Sequence, residues 1–459
     1  MPSRRLQTHV DRRRLQVVLR SRTGRDVRLV SAGPHGPDEV PTVNLFVIGL
    51  GYVGLPVAQG ACRSGMKVTG LDVDERLVLD LGRGISHIGD ISDADLGEMI
   101  EAGFTATTDA SRLGDADVVL ICVPTPLDED KNPDLSAVLS ASRSISAHLR
   151  PGTLVVLEST TYPGTTEDRV RPILEDGSGL IAGVDFALAY SPERIDPGNQ
   201  IWGLRNTPKI VGGLTEGCLT RAVDFYEQLV DTVVPTVGLR EAEFAKLLEN
   251  TYRHVNIALM NEMAIFCHES GIDLWEAIEV AATKPFGFQA FTPGPGIGGH
   301  CIPIDPNYLS WVARSLGFRL HFVELAQEVA ERMPAYIARR TQDSLNSQGK
   351  PVKGSHVVLA GVTYKANIGD QRESPARPLA TILRAQGALL TFVDPFAARF
   401  EVDGRDVERL DNLESASKTA DIVILLQAHD EFLVVGATSL ASCVLDTSGR
   451  LAGSNVERL

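Results

Sequence analysis

The stretch from Val43 to Asp72 constrains the fold more tightly than any other part of the chain. An apolar run, three spaced glycines, a helical pattern and a second apolar run ending in an acid follow one another without interruption. Val43-Asn44-Leu45-Phe46-Val47-Ile48 has the composition of a buried parallel strand. Gly49, Gly51 and Gly54 stand at G-x-G-x-x-G spacing, Pro56 to Ser64 is expected as helix, and Lys67 to Asp72 as the second strand. The three glycines serve different ends. Gly49 makes the tight turn, Gly51 lets the backbone approach a pyrophosphate, and Gly54 lets helix pack on strand. The helix N-terminus, with Tyr52 and Val53 in the turn before it, offers free N–H groups and partial positive charge to phosphates. Asp72 falls about 20 residues beyond the first glycine, where a carboxylate receives the ribose hydroxyls. It would repel a 2′-phosphate, so the expected cofactor is NAD rather than NADP.

Further strand-and-loop units follow. Asp117 to Val123 leads into Pro124-Thr125-Pro126, Thr153 to Leu157 into Glu158-Ser159-Thr160, and Phe186 to Tyr190 into Ser191-Pro192-Glu193-Arg194. Each polar loop falls after a strand, where doubly wound sheets bind ligands. A long helix is expected from near Arg240 towards Glu269, with Phe244, Leu247, Leu248, Tyr252 and Val255 as its packing stripe. Lys246 and Asn250, four apart, share one of its faces; taken alone, such a lysine reads as part of a solvated edge. After Gly349-Lys350-Pro351 the opening grammar returns, with strands at His356–Ala360 and Leu389–Val393 and a run Thr419–Leu425 that resembles Asp115–Ile121, but without the three-glycine spacing. The expected fold class is α/β: two Rossmann-like doubly wound domains joined by a central helical domain with a long linking helix. The boundaries drawn are 42–235, 236–345 and 346–459.

At 459 residues the chain suits two or three domains. Its net charge of −15 argues against a general nucleic-acid or anionic-membrane surface. The longest apolar stretch, Leu45 to Ala58, is broken by glycines and a proline, so no transmembrane span is expected. Residues 1–41 are different, with nine arginines against four acidic residues. Asp11 and Asp26 count against a transit peptide. The segment reads as a flexible tail or an upstream start, and is set aside from the fold.

The six cysteines, Cys62, Cys122, Cys218, Cys267, Cys301 and Cys443, show no CxxC spacing. With no secretory signal, reduced thiols and a cytoplasmic location are expected. Most should be buried small hydrophobes, Cys122 above all within Val118–Val123. Cys301 is different. It ends the loop Pro295-Gly296-Ile297-Gly298-Gly299-His300-Cys301, and Asp305 follows four positions later. A thiol of ordinary pKa ~8.5 needs help to attack at neutral pH, and loop N–H groups or the Lys246 ammonium would supply it. Asp305 on spacing alone reads equally as a turn cap, since Pro306 follows it. His300 is not expected to act as base on its chain neighbour, and a His–Cys metal pair has no further ligands at suitable spacing. No metal is expected.

Taken together, Gly49–Gly54, Val123–Pro126, Ser191-Pro192-Glu193, Lys246 with Asn250, Gly296–Asp305 and Lys365 with Arg372 resemble the UDP-glucose/GDP-mannose dehydrogenase family over residues 42 to 459. The resemblance implies four-electron oxidation of a nucleotide sugar at C6, two NAD being reduced in turn through a thiohemiacetal and a thioester on Cys301. It makes Lys246 the stabiliser of the oxyanion at C6, Asn250 the orienter of substrate or water, and Asp305 the holder of the hydrolytic water with Thr160 and Glu193. It places Thr125, Thr160 and Arg372 at the cofactor, and Glu193, Arg194, Gly296, Gly298, Gly299, Lys365 and Arg450 at the UDP-sugar, where Arg grips phosphate well. It also implies a homodimer.

Glucose-oxidising members of the family usually carry Gly-Gly-Ser-Cys and a Lys before the aspartate, whereas His300 and Ile304 stand here. Gly298–Pro306, Thr283–Phe288, Glu158–Gly164 and Ser191–Gly198 resemble the branch acting on UDP-N-acetylglucosamine, although Ala330 replaces an asparagine expected there. UDP-glucose, then the N-acetylgalactosamine and N-acetylmannosamine sugars, are the alternative substrates. A one-step hydroxy-acid dehydrogenase and a non-catalytic NAD-binding regulator are the readings from other classes; neither requires Cys301, Lys246 and Asp305 together.

Overall fold

The structure, a computed structural model, describes residues 17–20, 26–31, 43–128, 130–196, 198–199, 201–299, 302–435, 440 and 443–459. The chain divides into two compact units, 1–248 and 249–459.

The first unit is built on a ten-stranded sheet. Its strands are β1 (Val17–Arg20), β2 (Asp26–Ser31), β3 (Asn44–Ile48), β4 (Lys67–Leu71), β5 (Thr105–Thr107), β6 (Val118–Ile121), β7 (Leu154–Leu157), β8 (Ala187–Tyr190), β9 (Lys209–Gly213) and β10 (Thr232–Pro235), in the order β1-β2-β10-β9-β8-β7-β6-β3-β4-β5. Strands β3 to β8 pair in parallel, and the direction reverses between β8 and β9. Helices α1 (Gly54–Arg63), α2 (Glu75–Gly82), α3 (Asp93–Glu101), α4 (Ser136–Ser146), α5 (Arg171–Ser178) and α6 (Glu216–Tyr226) complete the unit. Alternate residues of each central strand enter opposite cores. Leu45, Val47, Val118, Leu120, Leu154 and Val156 join one; Phe46, Ile48, Val119, Ile121, Val155 and Leu157 join the other. Both faces are covered, so the strands are continuous apolar runs rather than alternating ones. Within the arginine-rich segment β1 and β2 form an antiparallel hairpin, and β2 adds to β10 through Ser31–Thr232 and Val30–Val233. Part of a segment expected to lie apart from the fold therefore extends its sheet.

Helix α7 (Leu239–Ser270) contains the division between the units. In the second unit follow α8 (Leu274–Ala282), α9 (Asp305–Ser315) and α10 (His321–Ser347). The second sheet uses β11 (His356–Ala360), β12 (Leu389–Val393), β15 (Glu408–Arg409), β16 (Ile422–Leu425), β17 (Cys443–Asp446) and β18 (Val456–Arg458), all parallel, beside a small hairpin of β13 (Glu401–Val402) and β14 (Arg405–Asp406). Helix α11 (Ala376–Ala385) packs here through Leu379, Ala380 and Leu383, in a core shared with Met333 and Ile337 of α10. At the turn after β11, Asp394 accepts the Val362 amide at 2.7 Å, as Asp72 accepts the Leu50 amide at 2.8 Å after β3. The two acids at the ends of the second strands pin equivalent turns, so the repeated grammar has a structural counterpart even without three glycines.

The stripe expected to pack α7 does so only in part within the chain. Leu247 is buried, but Phe244, Leu248 and Tyr252 are 41%, 53% and 49% exposed. The buried positions are Leu239, Ala242, Glu243, Lys246, Leu247, Thr251, His254, Ala258, Asn261, Ala264 and Cys267. Apolar periodicity reports which face tolerates burial, not which neighbour covers it; here polar and apolar groups share the inner face, and Glu243 and Lys246 have specific partners on it. Among the described residues no helix is long and apolar enough to cross a membrane.

Candidate active site

At the first turn, the backbone explains two glycines and leaves room at the third. Gly49 has φ +89°, and a Cβ there would lie 2.7 Å from the Cys122 carbonyl oxygen. A Cβ on Gly54 would lie 1.8 Å from the Gly49 oxygen. A Cβ on Gly51 would meet nothing within 4 Å, which is the open approach a pyrophosphate needs. Tyr52 is exposed, Val53 and Thr160 are half-buried, and Thr125 is buried. Asp72 spans the turn, its Oδ2 accepting from Leu50 N at 2.8 Å and its Oδ1 from Asp74 N at 3.1 Å. These residues fit a dinucleotide. Asp72→Asn removes the negative charge that would face the ribose while keeping an oxygen for the Leu50 amide. Its NAD affinity is expected to fall roughly tenfold, ~1.4 kcal/mol, by fluorescence titration; unchanged affinity would remove Asp72 from the ribose site.

Behind the loops after β7 and β8 lies a buried charged cluster. Lys209, at the start of the otherwise apolar β9, donates to Glu158 at 3.1 Å and to Glu193 at 3.0 Å, with its side chain 4% exposed. Tyr226, at the end of α6, donates its hydroxyl to Glu158. The other Glu193 oxygen accepts the Arg194 and Ile195 amides, both at 2.6 Å. The main-chain oxygen of Glu193 accepts the Lys246 ammonium at 2.6 Å. Burial pushes the Glu158 carboxyl up despite Lys209. Burial also opposes the charge on Glu193, but Lys209 and the loop amides outweigh it and hold that carboxyl low. Lys246 is 8% exposed and forms no ion pair among the described residues.

A second buried carboxylate, Glu243 on α7, accepts Gly164 N at 2.5 Å, Thr166 N at 2.9 Å and the Thr166 hydroxyl at 2.7 Å. Burial pushes its pKa up to about 7, against the pull of those bonds. It anchors the loop that carries Thr160. Sequence reasoning missed Glu158, Lys209, Tyr226 and Glu243 as members of the site. One signal for Lys209 was available: a lysine opening the apolar run Ile210–Val211 that the fold buries on both sides.

In the second unit, Asn250 donates its side-chain amide to Asp305. Asp305 is 1% exposed and opens α9, whose cap position falls on Ile304. The glycine loop lies against residues 364–375. Gly296 has φ +143° with Pro375 at 3.0 Å from a Cβ; Gly298 would meet the Glu373 oxygen at 2.7 Å; Gly299, φ +93°, would meet the Tyr364 ring at 2.8 Å. The Gly299 amide already donates to the Arg372 oxygen at 3.2 Å. Packing thus demands these glycines before any ligand is considered. Arg372 makes a two-nitrogen fork with Asp370 at 2.6–3.0 Å. Lys365 is half-buried and Arg450 exposed. Arg194, in the first unit, donates to the Pro208 oxygen at 2.5 Å. His300 and Cys301 lie outside the described residues.

A fingerprint turn followed by strand and acid, over a doubly wound sheet, defines a dinucleotide-binding protein, and comparison with known proteins makes the class specific. Residues 43–230, 240–332 and 358–451 match the NAD binding, central and UDP binding domains of the UDP-glucose/GDP-mannose dehydrogenase family. The chain belongs to that family; it is an NAD-dependent nucleotide sugar dehydrogenase. It is 37% identical over 402 residues to a UDP-N-acetyl-D-mannosamine dehydrogenase of Pyrococcus horikoshii, covering 87% of this chain and 92% of that one. To a UDP-N-acetyl-D-glucosamine 6-dehydrogenase of Pseudomonas aeruginosa it is 34% identical over 402 residues, covering 87% and 93%. The solved UDP-D-ManNAc dehydrogenase of Pyrococcus horikoshii superposes with a TM-score of 0.82 at 33% identity, covering 91% of this chain and 99% of that one.

Proposed function

We propose that the protein oxidises the C6 alcohol of a UDP-N-acetylhexosamine, UDP-N-acetylglucosamine foremost, to the uronic acid. The observation that carries the chemistry is Lys246, a buried ammonium held by a main-chain oxygen and paired with no carboxylate among the described residues. Such a cation is complementary to an oxyanion that appears only during reaction. NAD held at the turn after β3 would supply the hydride acceptor, one molecule for the oxidation of the alcohol and a second for that of the thiohemiacetal. Cys301 would attack the aldehyde carbon as thiolate, forming the C–S bond, and release the acid when water cleaves the thioester. Lys246 would balance negative charge on the C6 oxygen at each stage. Asn250 would orient the hydrolytic water, and Asp305 would hold it and take its proton, with Thr160 beside the cofactor. Glu193 and Arg194, the Gly296–Gly299 loop, Lys365 and Arg450 would bind the UDP-sugar, and Arg372 the cofactor. The segments 42–235, 236–345 and 346–459 would divide cofactor binding, catalysis and UDP recognition between them.

The acetamido sugar is supported by the loop from Gly298 to Pro306 and by the Pseudomonas relative. The mannosamine isomer is favoured by the more similar Pyrococcus relative. The test is NADH formed to completion with UDP-N-acetylglucosamine, UDP-N-acetylmannosamine and UDP-glucose in parallel. Two NADH per UDP-N-acetylglucosamine are expected, with little from the others. Two per UDP-N-acetylmannosamine would keep the mechanism and change the sugar, and one NADH per sugar would end the covalent route. A cytoplasmic homodimer completes the reading; Leu248, Tyr252, Leu259 and Phe266 on α7 present apolar surface for a second copy. A monomer mass at micromolar concentration in sedimentation would exclude it.

A further inference from the structure

We propose that Lys209 is a positioning residue for Lys246: clamped between Glu158 and Glu193, it fixes the 191–195 loop so that the Glu193 main-chain oxygen holds the reactive ammonium in place. The proposal rests on the reading of Lys246 as the oxyanion stabiliser. Its geometry is a continuous buried chain within one unit. Tyr226 donates to Glu158, Lys209 bridges Glu158 and Glu193, and Glu193 receives Lys246 through its carbonyl. Both oxygens of the Glu193 carboxylate are engaged, one by Lys209 and the other by two loop amides. That carboxylate therefore serves as an anchor for its own loop rather than as a free base. Lys209 gives the anchor its charge partner from the far side, where a neutral residue would leave a buried anion unbalanced. Lys209 itself stays charged because the two carboxylates outweigh the penalty of burial.

A bare structural brace and a positioning residue differ in what they do to the pH profile. The experiment compares kcat and kcat/KM against pH for the full wild-type chain and for Lys209→Met, Lys209→Arg and Glu158→Gln, with NAD affinity and thermal melting measured alongside. Lys209→Met is expected to lower kcat roughly 100-fold, the loss a misplaced catalytic group brings, while NAD affinity stays within about twofold, far short of the tenfold that one lost charged contact would bring. Its acid limb should move to higher pH, because a carboxylate deprived of its cation keeps its proton longer. Lys209→Arg should recover most of the loss. Glu158→Gln, nearly isosteric, removes the rival carboxylate and should move the acid limb to lower pH. A Glu158→Gln profile superimposable on wild type would overturn the proposal, even if Lys209→Met does not fold. If the wild type oxidises no UDP-sugar, the functional reading fails first. The pinning of Glu193 is then judged by infrared titration of the buried carboxyls: a protonation midpoint that shifts in Glu158→Gln supports it, and an unmoved one overturns it.

Discussion

Cys301→Ser is expected to lower uronic acid formation by at least ~10³-fold while leaving the fold and NAD affinity close to wild type. A serine hydroxyl is almost wholly protonated at neutral pH, so the aldehyde meets no anion able to trap it. The thiol, at an ordinary pKa of ~8.5, already supplies a few per cent of nucleophile and gains more beside a cation. The loss should therefore appear in acid and in the second NADH, with sugar and cofactor binding retained. Product analysis together with NADH counting checks this. Acid formed at near wild-type rate by Cys301→Ser would overturn the covalent mechanism, whatever the sugar.

Lys246→Ala is the second large effect. Loss of one preorganised donor to a developing oxyanion costs about 10²–10³ in kcat, or ~2.7–4 kcal/mol. The figure suits Lys246 because its ammonium is buried and donates to the neutral Glu193 carbonyl. Among the described residues no carboxylate forms an ion pair with it, so the charge would be available to a reacting oxygen. Initial-rate kinetics should show kcat and kcat/KM falling together. An effect confined to KM would assign Lys246 to binding that is equal in ground and transition states. Lys246→Met, which keeps most of the buried volume, separates the lost charge from a lost packing contact.

Local rules were sufficient wherever one residue meets its own chain neighbours. The strands at Asn44–Ile48, Lys67–Leu71 and His356–Ala360 were legible because short apolar runs bounded by glycine or acid have few other uses. Gly49 and Gly54 were legible for the same reason, since a turn between strand and helix leaves no space for a Cβ. Helix α7 was legible in extent but not in orientation. Its apolar stripe is buried only in part: Leu247 is inside, but Phe244 and Leu248 are exposed and Tyr252 is half exposed, while Glu243 and Lys246 are inside. Burying a charge is tolerated only where partners converge on it, and the Gly164–Thr166 loop and the Glu193 carbonyl come from far along the chain.

The sequence by itself determined the parallel-sheet architecture, the dinucleotide turn with its acid at Asp72, and the family to which the chain belongs, because each depends on residue types at short, fixed spacings. The tertiary structure alone decided that Lys209 joins Glu158 to Glu193 and that Asn250 donates to Asp305. It also decided that residues 364–375, more than sixty positions away, are what forbid side chains on the loop before Cys301. Those pairings are set by which strands and helices lie side by side, and the free energy of a buried polar group depends on that neighbour rather than on its own chemistry.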